Sequence, residues 1–121
     1  DLGARLQAAF AAHFATKAER VVVLGADCPE VNISDLEAAF ASLDAHDVVL
    51  GPALDGGYWL IGLRAPQPTL FAHMPWSTDR VFGETTRRAR EANLRVATLR
   101  ELADVDTAAD WERWCARLRT A

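Results

Sequence analysis

Three things are scarce in this sequence: cysteine, positive charge and long apolar runs. Its two cysteines, Cys28 and Cys115, lack the spacing of a disulfide framework, which favours a reducing cytoplasm. Asp and Glu outnumber Lys and Arg by 17 to 13, giving a net charge of −4, whereas nucleic-acid binding needs a basic surface. No apolar run approaches the roughly 20 residues of a membrane-spanning helix. Neither nucleic acid nor a membrane is therefore an expected partner.

Hydrophobic residues, in contrast, are plentiful and regularly placed. They make up 50% of the sequence, and charged residues make up 25%, a balance typical of chains that fold around a core. With 121 residues, the chain is expected to form a single domain over residues 1–121.

The first half of the chain alternates between helix and strand patterns. Apolar residues at helical spacing predict a helix from Leu2 to about Ala18, and the β-branched run Val21–Leu24 predicts a strand. A second helix, with Ser34 and Glu37 as its capping box, leads to a strand over Val48–Gly51. This order predicts two paired parallel strands joined by a right-handed crossover. Their C-terminal ends should lie at the same end of an α/β sheet.

The stretch from Asp47 to Leu63 joins two apolar runs through Pro52-Ala53-Leu54-Asp55-Gly56-Gly57. Asp-Gly-Gly provides positive backbone torsions, which are typical of a hairpin turn before a strand over Tyr58–Leu63. The same two glycines would also let a ligand approach the backbone beside the Asp55 carboxylate. The residues of this stretch leave both interpretations open.

Two further helices and a short strand are predicted in the second half. Ser77 or Thr78 would cap a helix over about Asp79–Asn93, and Leu94–Leu99 would form a strand. A last helix should begin near Thr107. Its predicted apolar face is Trp111, Trp114, Cys115 and Leu118.

Four aspartates are expected at the same end of the sheet. Asp27 follows the first strand, Asp55 lies in the Gly-Gly turn, and Asp104 and Asp106 precede the last helix. A helix-capping Asp106 and a solvated Asp104 would explain that pair without any function. Clustered carboxylates, however, repel one another unless a cation lies among them. An all-oxygen ligand set favours Mg²⁺ or Mn²⁺ over zinc.

Four motifs together resemble one bacterial family of nucleotide-diphospho-sugar transferases: LGADCPEV, DVVLGPALDGGYWLIGL, MPWST and LADVDTAADW. That family includes uncharacterised and arsenosugar-biosynthesis-type glycosyltransferases, and the resemblance extends from about Leu2 to the C-terminus. It implies a glycosyltransferase-A-like fold, a three-layer α/β/α domain with a mostly parallel sheet. It also implies a metal-dependent glycosyltransferase that uses a nucleotide-diphospho-sugar donor and a small-molecule acceptor.

The resemblance also assigns roles to individual residues. It implies that Asp27, Asp104 and Asp106 hold the metal ion. It implies that Asp55 is a catalytic hydrogen-bond acceptor or base. The substrate-binding residues implied by the same motifs are Gly56, Gly57, Tyr58, Trp76, Ser77 and Thr78.

The sequence departs from the resembling family in one respect. Family members begin with a further strand and a Gly-, Lys- and Arg-containing loop that holds the nucleotide, and nothing before Asp1 corresponds to them. We therefore expect an N-terminally truncated domain in which Val21–Leu24 is an open apolar edge. Such an edge predicts a homodimer or a fragment of a longer chain.

Two alternative functions remain open. One is a nucleotidyltransferase of the same fold, which condenses a nucleoside triphosphate with a phosphorylated acceptor. The other is a non-catalytic remnant that acts through self-association. Tyr58-Trp59 after the Gly-Gly pair favours the glycosyltransferase family over the nucleotidyltransferases, and the four retained aspartates argue against a remnant.

Overall fold

The computed structural model of the chain describes residues 2–24 and 30–102, and the backbone of residues 115–119. Its elements alternate between helix and strand over most of this length. In chain order they are α1 (Leu2–Ala15), β1 (Arg20–Leu24), α2 (Ile33–Ser42), β2 (Val48–Pro52), β3 (Tyr58–Leu63), a 3₁₀ turn (Pro68–Leu70), α3 (Val81–Glu91), β4 (Val96–Thr98) and β5 (Cys115–Arg119).

The strands form one mixed five-stranded sheet with the order β4-β2-β3-β1-β5. Strand β3 is antiparallel to both β1 and β2, and β5 is antiparallel to β1. Only the pairing of β2 with β4 is parallel among the described strands. The α/β class is confirmed, but the expectation of a mostly parallel sheet is wrong.

Strands β1 and β2 do run in the same direction, as the strand-helix-strand pattern predicts, but they are not neighbours. Strand β3 lies between them, so that Leu60 is opposite Leu24 on one side and opposite Gly51 on the other. All six residues of β3 are buried, and a strand without charged side chains is best placed where both edges are paired. The C-terminal ends of β1 and β2 therefore still lie at the same end of the sheet.

Apolar faces of the helices cover the sheet. Leu6 and Phe10 of α1 are buried, and the Phe10 ring stacks on Phe71 with 5.6 Å between centroids. Helix α2 adds Phe40 to the same core, and its C-cap residue adds Leu43. No helix within the described residues is both long and apolar enough to cross a membrane.

Helix α2 starts two residues earlier than the sequence predicts. Asn32 is its N-cap residue: the Asn32 Oδ1 accepts the Asp35 N–H at 3.1 Å, and the Asp35 carboxylate accepts the Asn32 N–H at 3.0 Å. The predicted capping box of Ser34 and Glu37 is therefore wrong. Asn32 has the extended backbone of a cap residue, with φ −127°, and its reciprocal bonds with Asp35 satisfy two backbone donors at once.

Helix α3 begins at Val81 with Arg80 as its N-cap residue and without a side-chain cap. The Thr78 hydroxyl donates to the Pro75 carbonyl at 2.6 Å and accepts the Arg80 N–H at 3.3 Å. It thus closes a turn before the helix rather than capping the helix. Ser77 has a left-handed backbone, with φ 63°. The prediction that either residue is the N-cap is wrong.

Residues 115–119 form a strand rather than the end of the predicted last helix. Strand β5 pairs with β1, so that Cys115 is opposite Leu24 and Leu118 is opposite Val21. This pairing satisfies the outer backbone groups of β1, which would otherwise be unpaired beside an apolar strand. The expected open edge along Val21–Leu24 is therefore wrong, and it no longer supports self-association.

Gly62 of β3 lies in a part of the sheet with no room for a side chain. A Cβ atom there would be 2.6 Å from Val49 Cγ1 and 3.0 Å from Val22 Cγ2. We expect Gly62→Ala to lower the free energy of unfolding by about 1–3 kcal/mol through overpacking, as measured by urea denaturation. The control is Gly83→Ala in the first turn of α3, where a Cβ atom would meet nothing within 4 Å. That variant should be neutral or more stable by up to about 1 kcal/mol, and equal losses in both variants would contradict the packing argument.

Candidate functional site

The turn between β2 and β3 is a tight hairpin that uses the Asp-Gly-Gly sequence. The Ala53 N–H donates to the Gly57 carbonyl at 2.9 Å, and the Gly56 N–H donates to the Ala53 carbonyl at 3.0 Å. Gly56 has a φ of 94°, a positive value that residues other than glycine rarely adopt. Asp55 Oδ1 accepts the Gly57 N–H at 3.0 Å. The hairpin interpretation is confirmed, and the Asp55 carboxylate is oriented by the turn while remaining exposed.

This turn packs directly on the residues that begin α3. The Phe82 N–H donates to the Gly56 carbonyl at 2.8 Å. A Cβ atom on Gly56 would lie 2.2 Å from the Asp79 carbonyl oxygen, so the two backbones approach each other closely. The turn and the Trp76-Ser77-Thr78 motif, which immediately precedes Asp79, are thus brought together.

Tyr58 and Trp76 form an aromatic pair beside the turn. Their ring centroids are 6.5 Å apart, and the rings meet edge to face at 79°. Burial raises the pKa of the Tyr58 phenol above its ordinary value of 10.0. The buried Trp76 Nε1 has no hydrogen-bond partner among the described residues. A buried donor of this kind is costly unless it is paired.

Arg88 of α3 fixes the segment that leads to Trp76. Its guanidinium donates to the carbonyls of Thr69 at 3.0 Å and His73 at 3.1 Å, and also to that of Ala72. Its Nε donates to Glu84 at 2.8 Å. Hydrogen bonds from Arg87 and Arg88 lower the pKa of Glu84 to about 2. This arginine therefore anchors the connection to α3 through charge-assisted bonds.

Residues Leu99–Leu102, here called the strap, continue from β4 along the end of β2. The Leu99 N–H donates to the Leu50 carbonyl at 2.8 Å, and the Leu102 N–H donates to the Pro52 carbonyl at 3.0 Å. In return, the Leu102 carbonyl accepts the Leu54 N–H at 2.9 Å. The strap thus lies against the turn that holds Asp55.

Trp59 joins the strap to the sheet. Its indole N–H donates to the Arg100 carbonyl at 3.1 Å. The indole fills the space above Gly51, where a Cβ atom would lie 2.4 Å from Trp59 Cε2. The absence of a side chain at Gly51 is therefore what allows Trp59 to reach the strap.

The side chain of Arg100 spans from the strap to the start of α2. Its Nε and Nη2 donate to the two carboxylate oxygens of Asp35 at 2.8 Å and 2.7 Å, and Nη2 also donates to the Glu30 carbonyl at 2.8 Å. The hydrogen bond from Arg100, aided by the Asn32 N–H, holds the pKa of Asp35 below its usual value. Sequence reasoning missed this pair because its members are 65 residues apart and share no local pattern.

The three predicted metal ligands Asp27, Asp104 and Asp106 lie outside the described residues. The residues that flank them do belong to one end of the sheet. Leu24 is paired at the end of β1, and Leu102 forms a parallel bridge with Ala53. We call this region, where β1 and β2 end beside the turn Ala53–Gly57, the hairpin end. The described residues bring Asp55, Gly56, Gly57, Tyr58, Trp76, Ser77 and Thr78 together there.

The two glycines of the turn provide a matched pair of tests. Gly56→Ala would place a side chain at a positive φ and against the Asp79 backbone, whereas a Cβ atom on Gly57 would lie an ordinary 3.4 Å from Asp55 Oδ1. We expect Gly56→Ala to lower the free energy of unfolding by about 2 kcal/mol or more and Gly57→Ala to have little effect. Urea denaturation measures both, and a neutral Gly56→Ala would contradict the described turn.

Asp35 makes stability depend on pH in the acid range. Its folded-state pKa is below the ordinary 3.8, so its stabilising effect is complete above that value and is lost as pH falls through the folded-state pKa. Asp35→Asn should lower the free energy of unfolding at pH 7 by about 1 kcal/mol. The difference from wild type should shrink at pH 3. Urea denaturation at both pH values checks this, and a difference that is constant with pH would show that the carboxylate charge is not responsible.

Comparison with known proteins was made for sequence and for structure. A family model described as "Uncharacterized protein conserved in bacteria (DUF2064)" matches residues 1–78, whereas no curated protein matches the chain. The chain is similar to the crystal structure of a putative nucleotide-diphospho-sugar transferase from Desulfovibrio desulfuricans G20, with 37% identity and a TM-score of 0.83. That similarity covers 88% of this chain and 47% of the other.

These matches confirm the resemblance inferred from the motifs. The chain spans about half the length of the Desulfovibrio protein, with the same fold over the shared part. The family model covers well over half of the 121 residues. The chain therefore belongs to the DUF2064 family of bacterial proteins.

Proposed function

We propose that this chain is part of a transferase that uses a nucleotide-diphospho-sugar, and that it transfers the sugar in a metal-dependent reaction. The similarity to the Desulfovibrio protein supports the transferase class. The single structural observation that supports it most is the close contact between Gly56 and the backbone that begins α3. This contact joins two motifs, DGGYW and PWST, into one surface at the hairpin end.

Binding of the substrate is assigned to the residues around this contact. Asp55, exposed and oriented by the Gly57 N–H, accepts a hydrogen bond or a proton from a sugar or acceptor hydroxyl. The glycines at 56 and 57 leave the backbone accessible. The buried Trp76 N–H is a donor for a substrate oxygen. Beside Ser77 and Thr78, the N-terminus of α3 carries a partial positive charge that suits a phosphate or sugar oxygen. Tyr58 supports the Trp76 ring.

The metal site is assigned to the three aspartates that the motif resemblance implies as ligands. Within the described residues, no group of three or more His, Cys, Asp and Glu side chains could hold a metal ion, so the proposal depends on Asp27, Asp104 and Asp106. Asp27 is three residues from Leu24 and Asp104 is two residues from Leu102. A chain spans at most about 3.6 Å per residue, and these short separations are the reason why the proposal assigns the metal ligands to the hairpin end. Such oxygen ligands suit Mg²⁺ or Mn²⁺, which would stabilise a leaving nucleoside diphosphate.

Titration calorimetry with Mn²⁺ tests the metal site directly. We expect wild-type protein to bind Mn²⁺ weakly and Asp27→Ala to abolish the binding, because a ligand is lost. The control is Asp44→Ala, which removes an exposed carboxylate that pairs with Arg20 at the opposite end of β1. It should bind Mn²⁺ as the wild type does. No heat with the wild type, or equal binding by Asp27→Ala, would contradict the proposed site.

A thermal-shift panel of nucleotides and nucleotide-sugars with Mn²⁺ distinguishes the transferase from the two alternatives. Ligands that bind the folded state raise the melting temperature, and we expect nucleotide-sugars to do so. A shift with nucleoside triphosphates alone, together with pyrophosphate release by a full-length homologue, would favour the nucleotidyltransferase. No shift with any ligand would favour a non-catalytic remnant.

A further inference from the structure

A cleft lies between helix α1 and the connection that follows β3, and we call it the α1 cleft. Its volume is about 310 Å³, which is within the range of roughly 300–1,000 Å³ that small-molecule pockets occupy. Helix α1 forms one wall with Gln7, Ala8 and Ala11, and residues 66–68 form the other. The lining residues all belong to the described part of the chain, and none of them belongs to the hairpin end.

The floor of the α1 cleft is a pair of stacked phenyl rings. Phe10 and Phe71 line the cleft, with their ring centroids 5.6 Å apart and their planes at 19°. They are only 1% and 2% exposed, so that most of each ring is packed in the core. Moving either ring aside to close the cleft would cost close-packed contacts. The cleft therefore has a fixed, apolar base.

The wall opposite α1 is fixed as well. Pro66 and Pro68 each restrict the backbone φ, and Pro68 begins the 3₁₀ turn. In that turn the Leu70 N–H donates to the Gln67 carbonyl at 3.1 Å, and the Phe71 N–H donates to the Pro68 carbonyl at 3.1 Å. A wall that is already formed lowers the entropy cost of binding a ligand.

The lining of the α1 cleft contains no ionisable side chain. Both walls consist of alanine, proline and the two glutamines Gln7 and Gln67. The glutamines are half-buried, and each amide offers two donor hydrogens and one acceptor oxygen. A charged ligand would lose its water here without gaining an opposite charge. An uncharged ligand with a polar edge would instead exchange its water for the glutamine amides.

We propose that the α1 cleft binds a small, uncharged aromatic molecule that carries an amide-like polar group. Its ring contacts the phenyl floor and the alanine and proline side chains, and its polar group bonds to the amides of Gln7 and Gln67. An apolar cavity of about 150 Å³ is enough for benzene, so the volume of about 310 Å³ leaves room for a ring with a substituent. This inference does not depend on the proposed function.

NMR titration of ¹⁵N-labelled protein with benzamide tests this site, because it observes backbone amides and glutamine side-chain amides separately. We expect benzamide to shift the signals of residues 7–11 and 67–71, including the side-chain NH₂ groups of Gln7 and Gln67. The dissociation constant should be on the order of millimolar, as is typical of so small a ligand. Benzoate has nearly the same shape but is charged, and it should bind at least about tenfold more weakly.

Two alanines of α1 provide a matched pair of variants. Ala11 and Ala12 are both exposed, but of the two only Ala11 lines the cleft. Leucine is nearly as good a helix former as alanine, so both leucine variants should fold, which circular dichroism checks. Ala11→Leu fills the cleft and should weaken benzamide binding at least about tenfold, whereas Ala12→Leu should bind it as the wild type does. Gln67→Met keeps the size of the side chain but removes its amide, and it should weaken binding about 2- to 10-fold.

The outcomes that would overturn the inference are distinct. They are no shift up to the solubility limit of benzamide, equal binding of benzoate, and equal losses in Ala11→Leu and Ala12→Leu. Shifts confined to residues 53–58 would place the probe at the hairpin end instead. A dimer seen by light scattering at micromolar concentration, and disrupted in Ala11→Leu, would show that a second copy of the chain covers the cleft. If Ala11→Leu does not fold, wild-type affinity in Gln67→Met would still overturn the assigned amide contact.

Discussion

The burial of β3 is the constraint on which the rest of the structure depends. Every residue of this strand is buried, and both of its edges are paired. Apolar burial contributes about 25 cal/mol per Å² of surface removed from water, and a buried backbone must also have its hydrogen bonds satisfied. A central position meets both demands. Because β1 and β2 flank β3 and run opposite to it, their C-terminal ends lie at the same end of the sheet, on either side of β3.

That placement determines what can be built at the hairpin end. The turn after β2, the strap after β4 and the connection into α3 come from separate parts of the sequence. Backbone hydrogen bonds join the strap to β2, and the start of α3 is joined to the turn. Binding residues in many proteins lie on connections of this kind, held by a rigid scaffold. Here the turn contacts the helix without an intervening side chain, because the Gly56 carbonyl accepts the Phe82 N–H in the first turn of α3.

Features with a local sequence signal could be predicted, and features set by distant contacts could not. The hairpin and α1 follow from turn residues and apolar spacing, although α1 ends at Ala15 rather than near Ala18. The strand order could not be predicted, because the apolar runs of β1, β2 and β3 are all typical of buried strands. The start of α2 was predicted at the wrong residue, because Asn32 is as good an N-cap residue as Ser34 and the structure uses Asn32. The motif resemblance singled out residues that the structure places around the turn. No motif or periodicity indicated the Asp35–Arg100 ion pair.

The contact between Gly51 and Trp59 has a consequence for how this family can vary. The indole occupies the volume that a side chain at position 51 would need, and it also holds the strap through the Arg100 carbonyl. A larger residue at position 51 would displace the ring, whereas a smaller residue at position 59 would leave a cavity and an unpaired carbonyl. Each change is harmful alone and less harmful in combination, so the two positions are expected to covary among relatives. Their effects on stability should likewise be non-additive.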